Sequence, residues 1–338
     1  MTGATADPAR ISGEARGTGV LVIDKPVGPT SFDIVRQVRR ALGLRRAGHG
    51  GTLDPMASGV LPICLGEATK LAQFLLDADK EYEATICFGA ETDTYDATGT
   101  VTERRGAADL TAAAVERALG AFRGPIVQLP PRFSALKLRG RPLYSYARAG
   151  EEVEIAPRNV VIHELELVSW RDASAVMVRV RCSKGTYIRS LAFDLGRALG
   201  PGAHLSALRR TRSGPFHIDE AHPLADLQTA PLIGLSQALG HLPSLRADSV
   251  ATRCLEQGKR VAWSALAPEL APGSETGATT GITTGTPTTG PAGVSAAPDS
   301  PCGGAARGRF QVLRPDGSLL AVAEVRDDDT LRTLRVFN

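Results

Sequence analysis

The stretches "NVVIHELELVSW" (159–170) and "SAVMVRVRCSKG" (174–185) decide the fold. In the first, Leu165 and Leu167 alternate with Glu164 and Glu166; in the second, Val176, Val178 and Val180 alternate with Met177, Arg179 and Arg181. A period of two puts one side of each segment in a core and the other toward water, the pattern of a half-buried strand. Two long strands so close in sequence point to a mainly antiparallel sheet.

Working outward, "GVLVIDKP" (19–26) reads as a short apolar strand stopped by Lys-Pro. "TSFDIVRQVRRALG" (30–43) follows as a helix with a Ser/Thr cap and a terminal Gly. Its apolar face is expected to carry Phe32, Val35, Val38 and Leu42, leaving Arg36, Arg39 and Arg40 on the other side. "EATKLAQFLLDADK" (67–80), "TAAAVERALGAF" (111–122) and "TYIRSLAFDLGRALG" (186–200) read as helices, and "EYEATICFGA" (81–90) as a strand. Helices interrupt strands irregularly, without a repeating βα unit or G-x-G-x-x-G. The class is α+β around a mainly antiparallel mixed sheet, not a doubly wound nucleotide fold.

The composition changes near residue 265. A Gly/Thr/Pro/Ala-rich run at about 266–307 cannot bury enough apolar surface to fold and reads as a disordered insertion. The segments flanking it, the second a hairpin pattern around Pro315-Asp316-Gly317, read as one small β domain split by that insertion. The expected organisation is a tail over 1–16, a large domain over 17–243 and a small β-rich domain over 244–338.

Of 338 residues 43% are hydrophobic, enough for real cores, and the formal charge is +3. Arg supplies 33 of the 39 basic residues; its planar fork suits phosphate and stacks on bases, which permits a nucleic-acid partner. The five cysteines (64, 87, 182, 254 and 302) form no C-x-x-C pair, arguing for a reducing compartment without disulfides or a zinc site. With no apolar run long enough for a membrane span and no secretion signal in the first sixteen residues, the expected location is the cytoplasm.

The six histidines (49, 163, 204, 217, 222 and 241) lack metal-ligand spacing, and neither a G-x-S-x-G elbow nor a P-loop occurs. What remains is a lone carboxylate, Asp54, within "GHGGTLDPMASGV" (48–60), together with short loop clusters that mix aromatic, basic and Gly residues. Asp-Pro alone is ordinary turn chemistry.

Five segments in order, "AGHGGTLDPMASGVLPICLGEATK", "DKEYEA", "GAETDTYDATG", "CSKGTYIRSLAFDLG" and "GAHLSALRRTRSG", resemble the signature segments of the TruB family, the bacterial tRNA pseudouridine-55 synthases. The resemblance spans roughly residues 17–220. The C-terminal part is similar to that family's PUA-type RNA-binding domain, beginning at "CLEQGKRVAW" (254–263), although the insertion departs from the usual pattern.

The resemblance implies a reaction without cofactor or metal, in which a T-loop uridine of tRNA is cut from its sugar, turned and rejoined through carbon 5. Asp54 is then the catalytic carboxylate, as a nucleophile on C1′ or as a base toward C2′; the sequence leaves both routes open. An ionised carboxylate in a dry pocket needs a cation, and Arg189 matches the family's arginine. Tyr82 matches the aromatic that stacks on the target base and serves late proton removal. Tyr187 and Leu208 match pocket-lining positions, and His49 matches a loop residue that holds the T-loop open. Lys25 and Lys184 are expected to support the pocket. The implied partner is tRNA, held by its T-arm, with the C-terminal domain as the candidate for its acceptor end, and it is acted on by a monomer. Two alternatives stay open: an RNA-folding module that only grips the T-arm, and a synthase of the same chemistry acting on another RNA.

Overall fold

The structure, a computed structural model, describes residues 17–107, 109–172, 174–262, 265–269, 308–326 and 330–337. The chain divides into two compact units, Met1–His241 and Leu242–Asn338. The expected tail over 1–16 and the insertion from 270 to 307 lie outside the described residues.

The first unit runs β1 (Gly19–Lys25), α1 (Ser31–Ala41), β2 (Ala47–His49), β3 (Ala57–Leu65), α2 (Ala72–Asp77), β4 (Lys80–Phe88), β5 (Ala90–Thr92), β6 (Val101–Arg104), α3 (Ala112–Gly120) and β7 (Gly124–Gln128). It continues through β8 (Lys137–Leu138), β9 (Arg141–Pro142), α4 (Leu143–Arg148), β10 (Arg158–Asp172), β11 (Ala175–Cys182), α5 (Ile188–Leu199), β12 (Ala203–Ser213), β13 (Phe216–His217) and α6 (Leu235–Ala238). Nine strands form one sheet of path order β1-β3-β12-β4-β11-β10-β7, with β2 beside β3 and β13 beside β12. Every pairing is antiparallel except β12 with β3, so the sheet is mixed and mainly antiparallel.

The alternating segments are the hairpin β10–β11, and β11 continues onto β4. On β4, Lys80, Tyr82, Ala84, Ile86 and Phe88 are the buried positions. The core beneath the sheet joins Ile86, Val178, Val180 and Leu205 to Leu191 and Leu195 of α5. Gly59 of β3, at φ 103°, admits no side chain: it faces Arg210 of β12, and a Cβ there would stand 2.2 Å from the Arg210 carbonyl oxygen.

Helix α1 corrects one expectation. Thr30 caps it in a reciprocal box with Asp33, and Arg36, Arg39 and Arg40 are exposed. The buried face, however, is Ser31, Ile34, Val35 and Val38, while Phe32 is 60% exposed. The first turn is fixed by polar contact rather than apolar burial: Ser31 Oγ donates to the carbonyl of Leu53 (2.9 Å) and accepts from its N–H (2.8 Å). That reciprocal pair rolls Phe32 outward.

The second unit carries β14 (Ser244–Arg246), α7 (Ser249–Glu256), β15 (Ala267–Glu269), β16 (Arg309–Leu313), β17 (Leu319–Val325) and β18 (Leu331–Val336) in a sheet of order β15-β14-β16-β17-β18. The Pro-Asp-Gly hairpin joins β16 to β17, with Gly317 at φ 82°. Residues 267–269, placed by composition in the insertion, instead pair with Ser244–Arg246, next to the buried Leu266. Low complexity therefore starts a few residues later than composition alone suggests.

Candidate active site

Asp54 sits in the loop between β2 and β3, a loop held by side chains from several elements. Its carbonyl accepts the N–H of Ala57 at 3.1 Å, closing a tight turn. Ser31 grips Leu53 from one side. From beneath, Lys25 Nζ donates to the carbonyls of Pro26 (2.9 Å), Pro55 (3.4 Å) and Ala57 (2.7 Å). From β12, Arg210 donates to Gly51 (3.1 Å), Thr52 (3.2 Å) and Val60 (2.8 Å). The Pro55 carbonyl also takes the N–H of Gly28 at 2.8 Å. A loop with so many bound carbonyls presents its carboxylate in a fixed place.

Arg189 enters from the first turn of α5. Its Nε lies 2.9 Å from Asp54 Oδ2 and its Nη1 lies 3.6 Å from Asp96 Oδ2. Nη1 also donates to the carbonyls of Thr94 (3.2 Å) and Phe133 (3.0 Å). Asp96 is held in turn by Thr94 Oγ1 (2.8 Å), the Thr98 N–H (2.9 Å) and Thr98 Oγ1 (2.6 Å). The guanidinium is thus fixed on four sides, and Asp54 is its partner at the cavity.

That cavity, of about 330 Å³, is lined by Asp54, Arg189, Tyr82, Tyr187, Leu208 and Arg210 among others. Tyr82 on β4 and Arg210 on β12 are cross-strand partners, and Leu208 opposite Ala84 shares their face. Gln128 places Tyr187 by accepting its N–H at 3.0 Å and donating to its carbonyl at 3.3 Å. A second cavity of about 680 Å³ shares Asp54, Arg189, Thr52, Leu53, Ser134 and Ala135 with the first. It adds His49, Phe32 and Tyr144 on its far side.

Burial sets the protonation of the surrounding groups. It pushes the Tyr82 phenol up to about 12, against the opposing pull of Arg210. It pushes Lys25 and Lys80 down to about 8, an effect that Arg210 reinforces at both. His49 is lowered by burial and by Arg210, and its Nδ1 is buried without a hydrogen-bond partner among the described residues.

The structure therefore brings Asp54, Arg189, Tyr82, Tyr187 and Leu208 to one cavity and places His49 at the adjoining one. The two lysines expected to support the pocket lie differently. Lys25, fully buried, holds the carbonyls of the Asp54 loop from within the protein. Lys184 is exposed on the rim, 2.7 Å from Asp77 Oδ1, while its neighbours Ser183 and Gly185 line the cavity.

The N-terminal domain model of the TruB family pseudouridylate synthases matches residues 39–188. The model described as the tRNA pseudouridylate synthase B C-terminal domain matches residues 189–240. The tRNA pseudouridine synthase B of Aromatoleum aromaticum is 51% identical over 251 residues, covering 72% of this chain and 81% of the relative. The chain belongs to the TruB family. The tRNA pseudouridine synthase B of Chromohalobacter salexigens is 49% identical over 255 residues, covering 72% of this chain and 83% of its own.

Among solved structures, the crystal structure of a Cbf5-Nop10-Gar1 complex contains a chain with TM-score 0.69 and 26% identity, covering 95% of this chain and 85% of that one. A chain from an H/ACA ribonucleoprotein bound to a substrate RNA containing 2′-deoxyuridine scores 0.66 at 26% identity, with the same coverage.

This TruB-family site also contains residues that the sequence did not single out. Asp96, Ser31, Gln128, Lys80 and Arg210 each hold or line it. Asp96 lies in the quoted "GAETDTYDATG" run, where it reads as turn chemistry. Arg210 follows Leu208 by two on a strand, and that alternation was the available signal that it points inward.

Proposed function

We propose that this chain isomerises uridine 55 in the T-loop of tRNA to pseudouridine, with Asp54 as the single catalytic carboxylate. The observation that carries this reading is the 2.9 Å pair of Arg189 and Asp54 at a cavity floored by Tyr82 and Leu208. The target base turns out of the T-loop and stacks on Tyr82. Extrusion costs a few kcal/mol and one aromatic stack returns roughly 1–3 kcal/mol, so further contacts must hold the loop open. His49, in the adjoining cavity, supplies one; the exposed arginines of α1 supply salt-dependent phosphate contacts.

Asp54 attacks C1′ or removes the C2′ proton, and in either case the C1′–N1 bond breaks with its electron pair going to the base. The base turns and C5 bonds to C1′ as the Asp54–C1′ bond breaks, or as Asp54 returns its proton to C2′; the C5 proton then leaves through the Tyr82 hydroxyl, which passes it on, and N1 takes up a proton. The net change is an isomerisation that consumes no oxidant, reductant or co-reactant. Lys25 acts by positioning the loop, and Lys184 by fixing the rim through Asp77.

The second unit is read as a PUA-like RNA-binding domain that contacts the acceptor end, and the enzyme as a cytoplasmic monomer. Among the described residues no helix is long and apolar enough to cross a membrane.

The test is to incubate the purified chain with an unmodified tRNA transcript and map pseudouridine at every uridine. Modification confined to position 55 supports the reading. Binding without modification assigns the chain to RNA folding, and modification elsewhere assigns it another substrate. Mapping total RNA from cells with and without the gene separates these outcomes in vivo.

A further inference from the structure

Four buried cations stand around the uracil cavity, and their partners are unequal. Arg189 takes both nearby carboxylates, Asp54 and Asp96. Lys25 and Lys80, 0% and 8% exposed, are bound to carbonyls; Lys80 Nζ reaches Leu75 (3.3 Å), Leu76 (2.6 Å) and Ala78 (2.5 Å). Arg210, only 1% exposed, donates to three carbonyls and has no carboxylate within 4.0 Å among the described residues.

A guanidinium carries five N–H groups, so two on Arg210 are not used by those carbonyls, and the Tyr82 phenol oxygen, itself a wall of the cavity, hydrogen-bonds the guanidinium there. Both N–H groups belong to a residue that lines the uracil cavity, on the same sheet face as Tyr82 and Leu208. An uncompensated charge in a dry wall is costly in the free protein and favours any anion that forms against it.

The reaction proposed above makes such an anion. When C1′–N1 breaks, both electrons stay with the ring, and the charge spreads over N1, O2 and O4. This holds whether Asp54 bonds to C1′ or the C2′ proton moves to Asp54. We infer that Arg210 is the group that stabilises the detached uracil anion while it turns, with Lys80 adding positive charge behind it.

Arginine suits this role better than an acid. It does not release its proton, so it leaves uracil anionic and nucleophilic at C5. A true acid would protonate N1 and leave neutral uracil free to be lost. Once C5 has given its electron pair to C1′ the ring is neutral, and when C5 then releases its proton N1 takes one up, so the extra attraction ends.

The inference rests on the proposed reaction, and leaving-group chemistry tests it separately. Fluorine at C5 makes uracil a better leaving group, so a 5-fluorouridine T-arm needs less help from Arg210. Single-turnover disappearance of uridine or 5-fluorouridine is measured with wild type, R210Q and R210K, alongside RNA affinity. The expected loss for R210Q is on the order of 100-fold or more with uridine and about 10-fold or less with 5-fluorouridine, with R210K recovering most of the rate.

Equal losses on both substrates, or an R210K no better than R210Q, would make Arg210 only a support of the loop and overturn the inference. If R210Q does not fold, the wild-type rates decide. Rates within roughly threefold on the two substrates support a neutralised leaving group, and an advantage above about 100-fold for the fluorinated one refutes it. Wild type inactive on uridine would instead sink the proposed function.

Discussion

Arg189 and Asp54 form an ion pair of 2.9 Å whose two halves differ in exposure: 5% for the guanidinium and 36% for the carboxylate. The cation is locked in protein while the anion looks into the cavity. Asp96, itself 5% exposed, shares the guanidinium from the protein side. The arrangement holds Asp54 by an immobile partner and leaves its remaining surface open to the cavity.

Arg189→Ala is therefore expected to lower the single-turnover rate by on the order of 100- to 1000-fold, with RNA affinity changed far less. It also strips Asp96 of its cation, which costs about 3 kcal/mol of stability. Rapid-quench kinetics and denaturant titration measure the two effects. An unchanged rate would mean the pair has no part in the chemistry.

Ser31→Ala removes both hydrogen bonds to Leu53 and leaves that backbone without its partner. The expected cost is about 1–3 kcal/mol in stability, with a fall in rate at saturating RNA rather than in affinity. Ser31→Thr, which keeps the hydroxyl, should restore much of the rate. A loss confined to affinity would contradict the positioning role.

Lys25 and Lys80, at about 8 in the folded protein against 10.5 when free, make stability and rate respond to pH in opposite senses. Above pH 8 the unfolded chain holds protons that the native chain has lost, so unfolding becomes harder, by up to about 1 kcal/mol per lysine per pH unit. From pH 9 upward the buried thiols Cys64 and Cys182, raised from 9.0 to about 12, act the other way. Between pH 8 and 9 the stability should rise while the rate falls as the cavity wall loses charge. Urea titrations and single-turnover rates at matched pH check this, and a rate that climbs with stability would contradict it.

Phe32 is exposed and lines the second cavity, as His49 does, and it contributes little to the core. Phe32→Ala should leave the melting temperature within a degree or two while weakening T-arm binding by about 1–3 kcal/mol, the worth of one lost base stack. Fluorescence anisotropy with a labelled T-arm measures it. Unaltered binding would place the RNA elsewhere.

The sheet was legible because alternation is a local property: a strand with one wet face, such as β11, has to write its two faces into successive residues. The helix face of α1 was less so, since a hydroxyl contact with Leu53, distant in sequence, outweighs the apolar character of Phe32. Asp54, Arg189 and Tyr82 were found through short motifs in a fixed order. Asp96 and Arg210 were missed because an Asp in a turn and one Arg of the three in "RRTR" (209–212) each have an ordinary explanation. Only the pairing of β12 with β3 and β4 places Arg210 under the Asp54 loop and beside Tyr82.

The claim that one carboxylate performs the reaction is tested most directly by Asp54→Asn. Release of tritium from T-arm RNA labelled at carbon 5 of uridine is followed beside RNA affinity. The expected result is no release above background, with binding within about threefold of wild type, because the amide keeps the shape but can neither attack C1′ nor take a proton. Turnover by Asp54→Asn near the wild-type rate would contradict the account.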